Sequence, residues 1–139
     1  MGNGLPAGDG AARPHKTSVW IERPDLLVFR PVGMILPEHL RDLTAQKQQL
    51  RQEAGYTFTL LDLSLATGVA LETRRVARTY AGMDPARAVA IYGASYHLTV
   101  LASALTRGVH ALLKLKRPVR FFRTEEDARA WLSELRSAC

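Results

Sequence analysis

Two short runs, Thr57 to Leu63 and Ala88 to Tyr92, are too apolar for strands that are half in water. Successive residues of a strand point to opposite faces, so the adjacent Leu60 and Leu61, followed by Leu63, put apolar side chains on both sides of the first run. Ala88 to Tyr92 is apolar throughout. Strands covered on both faces sit in the middle of parallel sheets. A parallel pair cannot be closed by a tight turn, and its members are usually joined by a helical crossover.

The segments around these runs supply the crossovers. Pro37 suits the first turn of a helix, and Leu40, Leu43 and Leu50 place one apolar face along it to about Gln52, with Gly55 as its stop. Leu71 to Tyr80 reads as a second helix, with Val76, Ala77 and Tyr80 on one side and Gly82 ending it. Gly93 turns the chain after the second apolar run. Ser95 can then cap a third helix carrying Leu98, Leu101, Ala102, Leu105, Val109 and Leu112, with Gly108 as a point where it can break. Pro118 to Phe122 reads as a last strand. Thr124 to Asp127 resembles a capping box with Asp in place of Glu, opening a helix with Ala128, Trp131, Leu132 and Leu135 on one face.

Ahead of all this, Val19 and Ile21 alternate with polar or aromatic neighbours, Arg23-Pro24-Asp25 supplies a turn, and Leu26 to Val32 reads as a second strand. The expected order is β-β-α-β-α-β-α-β-α. This is an α/β fold, a mostly parallel five-stranded sheet with flanking helices, its first strand antiparallel at or near an edge. Residues 1–16 hold four Gly and two Pro and almost no large apolar side chain, and are expected to form a flexible tail before a domain spanning 17–139.

Charge narrows the function classes. The chain has 139 residues, with 19 Lys and Arg against 13 Asp and Glu. Between Pro85 and Thr124 there is no acidic residue, while Arg87, Arg107, Lys114, Lys116, Arg117, Arg120 and Arg123 are all basic. The excess positive charge therefore lies in one segment. Only Phe121 and Phe122 interleave aromatic rings with it, which argues against a specific nucleic-acid interface and for a solvated face or an anionic partner. The lone Cys139 excludes an internal disulfide. The N-terminus lacks the pattern of a signal peptide, and Tyr96 to Leu115 is too interrupted by polar residues to span a membrane. A cytoplasmic protein is expected.

Catalytic motifs are incomplete. Gly93-Ala94-Ser95-Tyr96-His97 follows a strand and opens a helix, but the second glycine of a nucleophile elbow is replaced by His97 and no His follows Asp127. His39 and Asp42 can share a helix side, yet two ligands do not close a metal site. No phosphate loop or dinucleotide fingerprint is present. Asp62 ends a strand at the sheet edge where α/β proteins usually bind ligands, and hydrogen bonding to nearby backbone is its expected role. No enzyme activity, cofactor or metal is expected.

The element order, with Leu60-Leu61-Asp62-Leu63-Ser64 closing the third strand, resembles the STAS domain family, and within it the SpoIIAA-like branch of small bacterial proteins. The most specific segment is Arg117-Pro118-Val119-Arg120-Phe121-Phe122-Arg123-Thr124-Glu125-Glu126-Asp127-Ala128-Arg129-Ala130-Trp131-Leu132, and Ala90-Ile91-Tyr92-Gly93 is similar as well. The resemblance covers roughly residues 17–137. It implies a non-catalytic regulatory module acting through protein–protein contacts. In the phosphorylated members of the family a Ser opens the second helix in an Asp-Ser-Ser-Gly-like motif. Here the matching stretch, Ala70-Leu71-Glu72-Thr73, lacks it; Thr73 is the nearest hydroxyl and Thr67 lies in the preceding loop. The contact surface the resemblance implies runs from Ser64 to Arg75 beside Asp62, with Thr67, Thr73, Arg74 and Arg75 on it and an acidic partner as its complement. The SpoIIAA-like branch also resembles lipid-binding domains in layout, which keeps a second expectation open. In that reading a small apolar or anionic ligand lies against the third helix, touched by Gly93, Ser95, Leu101 and Leu105, with Lys114 and Arg117 holding its head group.

Overall fold

The computed structural model describes residues 16–81, 86–113 and 117–138. A hairpin opens the fold, β1 (Ser18–Glu22) and β2 (Leu26–Arg30), paired antiparallel with Ser18 opposite Arg30. Then come β3 (Gly33–Ile35), α1 (Pro37–Ala54), β4 (Thr57–Asp62), β5 (Ala66–Val69) and α2 (Leu71–Ala81). The chain continues with β6 (Ala86–Tyr92), α3 (Tyr96–Leu113), β7 (Val119–Phe122) and α4 (Glu125–Ala138). Among the described residues the main sheet has five strands in the order β1-β2-β4-β6-β7, parallel except for β1 at its edge.

The expected architecture is therefore present, with two corrections. The first is a pair of short strands, β3 and β5, which make a separate two-stranded parallel sheet. At three and four residues, with Gly33 and Gly68 inside them, they carry no alternation that a sequence could reveal; they pair because the loops after β2 and β4 run side by side. The expected second strand accordingly stops at Arg30, short of Val32. The second correction is that α3 passes through Gly108 without a break. Helix-interior glycine costs only about 1 kcal/mol, which an 18-residue helix absorbs. The expected tail (all but Lys16), the stop at Gly82 and Lys114 lie outside the described residues.

Helix ends follow local chemistry. Pro37 starts α1, and the His39 ring accepts the N–H of Leu36 at its Nδ1 (3.0 Å), so this histidine serves as a cap. Gly55 closes α1 at φ 87°, a conformation that costs a non-glycine residue about 1 kcal/mol or more. Ser95 Oγ accepts from the N–H of Leu98, and Thr124 Oγ1 from that of Asp127, both at 3.2 Å.

The strand order never reverses along β2, β4, β6 and β7. Right-handed crossovers that all step the same way leave their helices on the same side of the sheet. One core, with Leu27, Phe29, Leu43, Leu50, Val89 and Ile91, lies on the side of α1. The opposite face, with Leu26, Val28, Phe58, Leu60, Ala88 and Ala90, is left to α4, which covers it with Ala128, Trp131 and Leu132. A fully buried side chain of this size contributes about 1.5–3 kcal/mol, so both faces are strongly held.

Candidate functional site

α3 presents Leu98, Leu101 and Leu105 inward at helical spacing. Leu98 is buried, but Leu101 and Leu105 are half-buried and border a cavity of about 250 Å³. The sheet supplies its floor through Phe29, Thr59, Leu61, Val89, Ile91 and Val119. Leu61 stands on a strand with neighbours on both sides and is still half-buried, because it faces this space. Leu40, Leu43 and Lys47 of α1 and Thr73 and Ala77 of α2 form one wall; Ala102 and Thr106 of α3 form another. Arg117, just before β7, completes the lining.

The cavity is apolar with a few polar atoms. Thr73 donates its hydroxyl to the carbonyl of Ile35 (2.7 Å), tying α2 to β3. Thr59 lines the floor, and its buried Oγ1 has no hydrogen-bond partner among the described residues. Lys47 is only 7% exposed. It occupies a position of the α1 stripe that Leu40, Leu43 and Leu50 otherwise fill. That lysine was legible in the sequence as the one cation at apolar spacing; nothing in the sequence marks Thr59.

The expected ligand set is thus divided. Leu101, Leu105 and Arg117 come together at the cavity, and Lys114 lies outside the described residues. Gly93 and Ser95 stand apart, at the start of α3. Gly93, at φ 76°, packs so close to Ser64 that a Cβ there would come within 3.0 Å of Ser64 Cβ. It borders a separate shallow depression with Ala94, Thr99, Phe121, Phe122 and Arg123.

The expected contact surface is divided too. Ser64, Thr67 and Arg75 are exposed. Arg74 is half-buried, with Nη2 donating to the carbonyl of Val69 (3.4 Å) and a buried Nε that has no partner among the described residues. Thr73 is 1% exposed, and a docked protein could not reach its hydroxyl without lifting α2. Asp62 is buried on the α4 side of the sheet. Its Oδ2 accepts from Arg30 Nε (2.8 Å), and its Oδ1 accepts from the N–H (3.0 Å) and hydroxyl (2.6 Å) of Ser64.

Asp62 belongs to a polar brace rather than to an open edge. Burial alone would raise its carboxyl, but the two bonds from Ser64 and the Arg30 guanidinium outweigh that and hold it below the usual carboxylate range. Arg30 also stacks over Trp20, 5.0 Å from the ring centre. Nearby, Tyr92 donates to Glu125 (3.2 Å), and Arg129 bridges Glu125 and Glu22. Burial, with the charges of Asp62 and Glu125, pushes the Tyr92 phenol above its ordinary value.

The basic segment is dispersed. Arg87 lies over Tyr56, 4.2 Å from the ring centre. Arg120 lies over Phe122 and Trp131, and Arg117 reaches the cavity on the other face. Arg87 and Arg120 thus lie over aromatic rings on the α4 side, apart from Arg117. Among the described residues no cluster of three or more potential metal ligands occurs, and no helix is long and apolar enough to cross a membrane.

No protein-family model matches the chain, and no curated protein sequence does. A solved structure does. It is an uncharacterised protein of the DUF3478 family from Shewanella loihica PV-4 with a SpoIIAA-like fold, 22% identical in sequence. The match covers 87% of this chain and 97% of that one, with a TM-score of 0.61. Strand order, helix placement and this likeness agree: the chain has a SpoIIAA-like fold.

Proposed function

We propose that this chain is a non-catalytic STAS-like module that holds a small, largely apolar ligand between its sheet and α3. The cavity bordered by Leu101 and Leu105 carries this reading. Small-molecule sites are concave and mostly apolar, with a few placed polar groups, and this one adds Lys47, Thr59 and Arg117 to an apolar wall. A ligand that fills this space binds the folded state and not the unfolded one, so it raises the unfolding temperature.

A second reading, protein contact through α2, is favoured by one feature. Leu71 is 66% exposed, and Arg75 and Arg78 follow it on the same helical face. Exposed Met34 lies in the sheet strand paired with the one preceding Leu71.

Native mass spectrometry on protein purified gently from its own host separates the two. A small-molecule mass that is lost on denaturation, and absent from Ala102→Phe, is the expected result, since a phenyl ring at position 102 fills the cavity. A bare chain, or a small molecule retained by that variant, overturns the cavity reading. A bound second polypeptide released by Arg75→Glu supports contact through α2 instead.

A further inference from the structure

A second, smaller cavity of about 120 Å³ lies between α1 and α2. Leu40, Leu43, Lys47, Ala77 and Arg117 line both spaces, and the smaller one adds Thr44 and Tyr80. The two cations therefore stand where an apolar chamber meets a more polar one. Among the described residues, no Asp or Glu lines either.

From this juxtaposition we infer that the ligand is an amphipathic anion, its tail in the larger chamber and its charged head at Lys47 and Arg117. The inference rests on the cavity reading and specifies its chemistry. A cation placed on the apolar stripe of α1 is costly to desolvate, so the position is tolerable only with polar company. Both side chains already have a partner. An ammonium has three donors and a guanidinium five, so each can serve an anion in addition to its present partner. The larger chamber's lining of Leu, Ile, Val and Phe side chains suits an alkyl tail.

The test compares probes that share a ten-carbon chain: decanoate, 1-decanol and decyltrimethylammonium, titrated calorimetrically into the full chain at neutral pH. Decanoate is expected to bind about tenfold more tightly than decanol. Lys47→Met, which keeps the stem and removes one of the two charges, is expected to narrow that preference severalfold, with Arg117 supplying what remains. Should Lys47→Met fail to fold, the salt dependence of the unaltered protein gives the same information. Added NaCl should weaken decanoate and leave decanol unmoved. Decanol binding as well as decanoate, or the cationic probe binding best, would overturn the head-group assignment and leave the cavity reading standing. Binding of none of the three would remove the cavity reading itself.

Discussion

At the scale of single residues, Asp62 shows how a position that looks functional can be structural. Three hydrogen bonds from Arg30 and Ser64 converge on its carboxylate within a buried setting. Because the folded state holds the carboxyl below its unfolded value near ~4, its stabilisation is fully present above that value. It is lost as pH falls through the lowered folded value. Asp62→Asn is expected to cost about 2 kcal/mol at neutral pH. It should also flatten the acid limb of stability against pH, measured by urea unfolding between neutral and acidic buffers. An acid limb as steep as in the unaltered protein would show that Asp62 is not what titrates. The sequence disclosed that Asp62 ends a strand; it could not disclose which face the side chain would share with Arg30, thirty-two positions away.

At the scale of elements, α1 and α4 contrast. α4 is amphipathic in the ordinary way, and its stripe of Ala128, Trp131 and Leu132 was legible from spacing alone. Its far end is locked by charge: Arg136 Nε donates to Asp25 Oδ2 (2.9 Å), and Asp25 is fully buried in the turn between β1 and β2. Arg136→Ala leaves that carboxylate buried without its cation and is expected to cost about 3 kcal/mol, read as a lowered midpoint in chemical denaturation. An unchanged midpoint would mean that water replaces the arginine. α1 breaks its own pattern with Lys47. A stripe of Leu, Leu, Lys and Leu predicts a helix correctly while hiding the consequence, since only the assembled wall shows that the lysine and Arg117 line the same two spaces.

At the scale of the whole molecule, the two faces of the sheet are unequal. A single helix seats on one face with buried side chains, whereas on the other α3 stands over a cavity. Local opening follows the density of buried apolar contacts. Amide hydrogen exchange is therefore expected to be faster in α3 than in α4, and α3 is expected to gain protection when the cavity is filled. Equal protection in both helices without ligand would indicate that α3 packs as firmly as α4. The same inequality explains why the expected contact surface came apart. Thr73 and Asp62 lie close in sequence but belong to opposite sides of the sheet, one bonded to Ile35 and the other to Arg30.

What could be read from the residues alone is what depends on short-range chemistry. The apolar runs of β4 and β6, the stripe spacings, Pro37 and Gly55 at the ends of α1, and the hydroxyl caps at Ser95 and Thr124 each act within a few residues. From those parts the α/β class and the parallel sheet follow. Tertiary structure alone decided the rest. The pairing of β3 with β5, the brace around Asp62 and the shared cavity lining by Lys47 and Arg117 bring together residues far apart in the chain. Their geometry is fixed by how helices seat on a twisted sheet, and periodicity carries no record of the space left between them.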